Sequence, residues 1–214
     1  INEFSRDIYA MNLIELFGVY IGSTKLESLD IVKAIEFVNS IEHELAEGGD
    51  HGQVSVSQML LHEPFFKDIK NEIEHLATTY VSMHGHAIDQ VQIASSWGNI
   101  LASGEPIHAH SHANSYVSGS FYLTTGAPIH FHNPLTTEEL FTLSPNVVFD
   151  EENKLTWRTI YIEPTPGQVL FFPSKLKHHV ESNNTNYRYS IAFNTLPTGA
   201  FGHTTKHINI SSLR

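Results

Sequence analysis

The stretch "IHAHSHANSYVSGSFYL", Ile107 to Leu123, decides how the rest of the chain reads. It sets His108, His110 and His112 on alternate positions and then runs into an apolar, β-prone segment. On an extended strand, side chains at i and i+2 share a face. His110 and His112 therefore face one point, with His108 behind them on that face. Two readings are open: a hydrated or hydrogen-bonded polar edge, or part of a metal site.

Working outward, the chain from about Ala87 has an all-β texture. "QVQIASSWGNIL", "APIHFHN", "LTWRTIYIEP", "QVLFFPS" and "YRYSIAFNTL" are short runs rich in Val, Ile, Tyr, Phe and Thr, separated by Gly, Pro and Asn. Strands at this spacing, without helices between them, suggest a sandwich, jelly roll or barrel. The part before about Gly85 carries helical periods. Over Ser28 to Leu45, Ile31, Val32, Ile35, Phe37, Val38 and Ile41 lie close to a 3.6-residue period, with Ser28 or Asp30 as the cap. A second helix fits the segment from Glu63, with Pro64 near its first turn, Phe66, Ile69, Ile73, Leu76 and Tyr80 as a core stripe, and Gly85 as the stop. With no repeat or long linker, the expectation is an α+β fold in a single domain, 1–214. A helical part, 1–86, packs on one face of a β core, 87–214.

The bulk composition narrows the function. A net charge of -11 provides no basic stripe for phosphates, so nucleic acid is not the expected partner. The acidity thickens at Glu138, Glu139, Asp150, Glu151 and Glu152, read as a solvated loop. Cysteine is absent, which excludes disulfides, thiolate zinc sites and cysteine nucleophiles. Any metal must use nitrogen and oxygen, and 15 histidines offer plenty. No window reaches the roughly 20 apolar residues of a membrane span, so the expected location is cytoplasmic, although a chain that begins with Ile1 leaves room for a leader already removed.

A second histidine group lies far downstream, in "FFPSKLKHHVESN", where His178 and His179 must face opposite ways if extended. Two ligands from one strand and one from a distant strand is how a β-barrel mouth holds iron, leaving positions open; the usual set is two His and one carboxylate. Arg188 follows ten positions after His178. Arg grips a carboxylate through two parallel hydrogen bonds, so a metal at one end and Arg188 at the other suits a small chelating dicarboxylate. The competing reading of Arg188 is a surface ion pair.

The ordered blocks Trp97-Gly98-Asn99, "HSHANSYVSGSFYL", "FPSKLKHHV" and "RYSIAFN" resemble the 2-oxoglutarate- and Fe(II)-dependent oxygenases, in particular a bacterial and phage group related to prolyl hydroxylases. The matching blocks run from Trp97 to Asn194. The resemblance implies a double-stranded β-helix, jelly-roll or cupin-like, with helices ahead of it. It implies His110 and His178 as iron ligands, with His112 where most of the superfamily has aspartate. It also implies Arg188 and Ser190, with Tyr122, as the grip on the far carboxylate of 2-oxoglutarate. Ala113 replaces the proline that usually follows the H-x-H, and "FHNP" replaces a D-P-R; both changes bear on loop shape and substrate. If His112 is not a ligand, Asp150 or Glu181 is the candidate carboxylate. On this reading His130, His132 and His179 either support the ligands, face the substrate or lie on the surface, and the role of His108 stays open.

The implied reaction consumes O2 and 2-oxoglutarate, releases succinate and CO2, and hydroxylates a C–H bond of an unidentified peptide or small molecule. Two other classes compete: a cupin-like three-histidine metal protein that does not use 2-oxoglutarate, and a non-catalytic β-sandwich interaction module. Exposed strand edges make a homodimer a further expectation.

Overall fold

The computed structural model describes residues 18–46, 52–135, 157–203 and 206–210. Twelve strands and two α-helices lie among them: β1 Gly22–Lys25, α1 Ile31–Ser40, β2 His43–Leu45, β3 Gln53–Ser55, α2 Lys67–Met83, β4 Gln90–Ala102, β5 Ile107–His110, β6 Val117–Tyr122, β7 Ile129–His132, β8 Thr159–Ile162, β9 Gln168–Pro173, β10 His178–Val180, β11 Tyr187–His203 and β12 Lys206–Ile210. The acidic residues Glu138, Glu139, Asp150, Glu151 and Glu152 lie outside the described residues.

Two antiparallel sheets form. The larger runs β1-β9-β6-β11-β4-β3-β2, with β12 also on β11; the smaller runs β5-β10-β7-β8. This is the α+β, jelly-roll layout expected of a double-stranded β-helix. Alternation along the strands divides the interior into two cores. Phe121, Ile191 and Phe193 face outward from the large sheet and pack with Ile69, Ile73 and Tyr80 of α2. Tyr122, Leu170 and Phe172 face the small sheet and pack with Ile129 and Phe131. Helix α2 is pinned to β4 by the buried Glu74, whose Oε1 accepts from Ile93 N at 2.9 Å and from Lys70 Nζ at 2.8 Å.

The N-terminal part differs in detail from the sequence expectation. Asp30 does cap α1, its Oδ1 accepting from Lys33 N at 3.2 Å. The helix ends at Ser40, however, because Ile41 turns extended (φ -93, ψ 164) and the chain enters β2 instead of continuing to Leu45. Two 3-10 turns, Leu60–His62 and Pro64–Phe66, precede α2, so the helix begins later than Glu63. Gly85, at φ +77, follows its end. Strands β1, β2 and β3 extend the large sheet, so this part of the chain supplies sheet as well as helix.

Candidate metal centre and cosubstrate pocket

Strand β10 brings the distal histidine home. His178 pairs with His110 of β5 on one side and with Phe131 of β7 on the other. Ring centroids of His110 and His178 are 4.5 Å apart, those of His110 and His112 5.1 Å, and those of His112 and His178 5.2 Å. One ligand nitrogen from each lies within 4.8 Å of the others. His110 Nδ1 donates to His108 O at 2.8 Å and His178 Nδ1 to Leu176 O at 2.8 Å. Those bonds place the proton on Nδ1 and leave the Nε2 lone pair of each ring for a metal. Burial pulls the His178 pKa down to about 3 and that of His112 to about 4, with neighbouring imidazoles adding to the shift and the hydrogen bond to Leu176 opposing it at His178. Both rings are neutral at pH 7 and free to coordinate.

The route to this triad is not the simple strand alternation. Strand β5 stops at His110, and His112 lies beyond it, held by His112 N donating to Ser174 O at 2.8 Å. Behind that loop is a buried hydroxyl network: Ser118 Oγ donates to Asn194 Oδ1 at 2.7 Å, and Ser174 Oγ to Ser115 Oγ at 2.8 Å. His108 does not stand behind His110. The register Val180↔Ile107 and His178↔His110 advances two residues on β10 for three on β5, a bulge that turns Ile107 to the inside and His108 to solvent.

A cavity of about 500 Å³ joins the three imidazoles to Tyr122, Arg188 and Ser190. Arg188 and Ser190 alternate on β11, and Ser190 pairs with Tyr122 of β6 and Asn99 of β4. Arg188 is 2% exposed, which removes the surface ion-pair reading. Its Nε donates to Ala127 O at 3.1 Å and its Nη1 to Ser190 Oγ at 3.3 Å. No carboxylate pairs with it among the described residues. Burial pulls its pKa down, but a guanidinium stays charged. A buried, uncompensated cation costs several kcal/mol, so the site is built to receive an anion. Tyr122 stands beside it, ring centroid 5.1 Å from the guanidinium carbon. Burial raises the Tyr122 pKa, partly offset by Arg188, and its buried hydroxyl has no hydrogen-bond partner of ordinary geometry. An unsatisfied buried hydroxyl and an unpaired guanidinium, side by side, fit the far carboxylate of a dicarboxylate.

Glu181, the carboxylate considered as a substitute ligand, is exposed and stands on the opposite face of the small sheet with His130 and His179. Asp150 lies outside the described residues. The sequence reading missed the β2–β3 contribution: Glu44, Gln53 and Gln58 are exposed lining residues of the same cavity, with Trp97 inside, 6.0 Å from the His112 ring. No local motif marks those residues; only pairing of β3 with β4 brings them there.

Residues 95–194, a little under half of the chain, match the family described as "Putative 2OG-Fe(II) oxygenase". This part of the chain is similar to the 2-oxoglutarate- and Fe(II)-dependent oxygenases. That match, with the histidine triad as a candidate metal site, supports Fe(II) as the metal and 2-oxoglutarate as the cosubstrate. Solved structures share the fold. A Pseudomonas putida prolyl-4-hydroxylase is 14% identical at TM-score 0.57, over 85% of this chain and 94% of that one. HygX from Streptomyces hygroscopicus, with nickel, 2-oxoglutarate and hygromycin B bound, is 11% identical at TM-score 0.58, over 84% of each chain. The epimerase SnoN, in complex with Fe3+, alpha ketoglutarate and nogalamycin RO, is 12% identical at TM-score 0.61, over 88% and 83%. No curated protein sequence matches. No helix among the described residues is long and apolar enough to cross a membrane.

Proposed function

We propose that the chain is a single-domain oxygenase that hydroxylates a C–H bond of a peptide or small molecule, with His110, His112 and His178 as its iron ligands. Arg188 and Ser190 bind the far carboxylate of 2-oxoglutarate, and Tyr122 donates its otherwise unused hydroxyl to the same group. The observation that carries this reading is the continuity of one cavity from the three imidazoles to the unpaired Arg188. Bound Fe(II) supplies the oxidising chemistry, coupled to breakdown of 2-oxoglutarate to succinate and CO2. The chain's own residues do the rest. Neutral His178 and His112 present lone pairs without first losing a proton. The Nδ1 bonds of His110 and His178 hold their rings in one orientation. Ser120, beside Gly119, turns its hydroxyl-bearing side chain to the cavity, so the floor there is small and polar. The opening by Glu44, Gln53 and Gln58 is polar and suits a hydrogen-bonding substrate.

Three neutral ligands leave the iron with one more positive charge than the common two-His-one-carboxylate set. That favours a dianionic cosubstrate. Anaerobic titration with Fe(II) and then 2-oxoglutarate tests the assignment through the visible charge-transfer band of the chelate. The band is expected in the wild type and weakened in Arg188→Ala. Iron binding without the band would support a three-histidine protein that does not use 2-oxoglutarate, and no iron binding would leave an interaction module.

A further inference from the structure

The outer face of the small sheet carries a second histidine cluster that the iron site does not use. His179 follows His178 on β10 and so points the other way. Its cross-strand partner is His130 of β7, and the two rings stack with centroids 4.8 Å apart. His132, two residues on, lies on the same face, its Nε2 3.0 Å from His179 Nδ1. Glu181 leaves the same face of the chain just beyond β10, its Oε1 3.4 Å from His130 Nε2. One ligand atom from each of His130, His179 and Glu181 lies within 4.8 Å of the others.

Two features set this cluster apart from a solvated polar edge. The His130 side chain is only 12% exposed, and its Nε2 is buried and makes no hydrogen bond, although Glu181 Oε1 stands 3.4 Å away. A buried ring nitrogen without a partner is unfavourable unless something else satisfies it. The cluster also borders an open depression of about 630 Å³, lined by His108, His132, His179 and Glu181, so an ion can enter from solvent.

We propose that His130, His179 and Glu181 form a second divalent-cation site, which takes zinc and ties β7 to β10, with His132 orienting the His179 ring. Two imidazoles and a carboxylate with an open position are a borderline nitrogen–oxygen set suited to zinc. The ion would satisfy His130 Nε2 and the Glu181 carboxylate together. Because β10 also carries His178, the outer ion clamps the strand that delivers the distal iron ligand.

Equilibrium dialysis of the metal-stripped full chain against Zn2+, with bound metal counted by mass spectrometry, tests the site. The wild type is expected to hold two equivalents. His110→Ala/His178→Ala, which removes the inner site, retains one, and Glu181→Gln weakens that remaining equivalent about tenfold or more. Glu181 is exposed, so this substitution leaves the fold in place. In the same inner-site variant, Zn2+ raises Tm by binding the native state alone, and adding His130→Asn/Glu181→Gln abolishes the rise. An inner-site variant that binds no zinc, or whose remaining equivalent is unaffected by Glu181→Gln, overturns the proposal. Either result leaves the inner-site assignment untouched, since that is read from the equivalent lost with His110 and His178.

Discussion

His110 and His178 are direct cross-strand partners, and each gives its Nδ1 proton to a backbone carbonyl two residues earlier in its own chain segment, at 2.8 Å. The same local geometry thus fixes both rings, from strands that lie far apart in sequence. The carbonyls of His108 and Leu176 act as orienting groups, so the two Nε2 atoms are aimed before any metal arrives. Pre-aimed imidazoles lose little freedom on binding an ion.

His178→Ala is expected to weaken Fe(II) by more than about 100-fold, since loss of even an outer-shell partner costs 10–100-fold. His112→Asp is expected to keep one equivalent of Fe(II), because it restores the two-His-one-carboxylate set at that position. The same change lowers the charge of the site by one and should weaken 2-oxoglutarate. Fe(II) titrations of the two variants check both statements; loss of iron in His112→Asp would mean that the shorter carboxylate does not reach the metal from that position.

Arg188→Gln and Tyr122→Phe separate charge from hydrogen bonding in the cosubstrate pocket. Removing the guanidinium is expected to raise the 2-oxoglutarate KM by about 10- to 100-fold, in line with about 1.5–3 kcal/mol for a charged hydrogen bond. Tyr122→Phe removes a buried hydroxyl that makes no hydrogen bond of ordinary geometry in the metal-free protein. It should therefore leave thermal stability unchanged or higher while raising the same KM about 3- to 10-fold. A Tm drop in Tyr122→Phe would mean that the hydroxyl is engaged structurally instead.

The sequence makes Arg188 and Ser190 legible because a period-2 strand carries both to one side, and β11 obeys that period where it lines the cavity. The alternation of His178 and His179 holds for the same reason. What fails is the phase of His108 and the strand placement of His112. A bulge inserts one residue in β5, and a turn at 113–114 follows His112; neither leaves a mark in an H-x-H-x-H pattern. The end of α1 was hidden because Ile41 continues the apolar period by one residue past the last helical turn. The hydroxyl network of Ser115, Ser118 and Ser174 is plain in sequence as small polar residues, but only the sheet brings 118 within 2.9 Å of 174.

Gly119 has no room for a side chain. A Cβ there would stand 2.2 Å from Phe193 Cζ and 2.4 Å from the Leu170 carbonyl oxygen. The aromatic ring belongs to the core against α2, and the carbonyl belongs to paired strand β9, so neither can withdraw freely. Overpacking of this kind costs about 1–3 kcal/mol or more. Gly119→Ala is expected to lower Tm by roughly 5 °C or more, and calorimetry of the metal-free protein measures it.

The buried imidazoles also make the metal-free protein sensitive to acid. Unfolded histidine takes up a proton near pH 6.5, whereas folded His112 resists until about 4 and folded His178 until about 3, mainly through burial. Between those values the unfolded chain binds more protons than the native one, so the stability present above pH 6.5 falls as pH drops and levels off only below the folded pKa values. Each such group contributes a slope approaching about 1.4 kcal/mol per pH unit inside its window. Urea denaturation of the metal-free chain at pH 7.5, 6 and 5 should show that decline. His112→Gln/His178→Gln should flatten it, because glutamine fills a similar volume without titrating. An unchanged slope in that variant would assign the acid sensitivity to other groups.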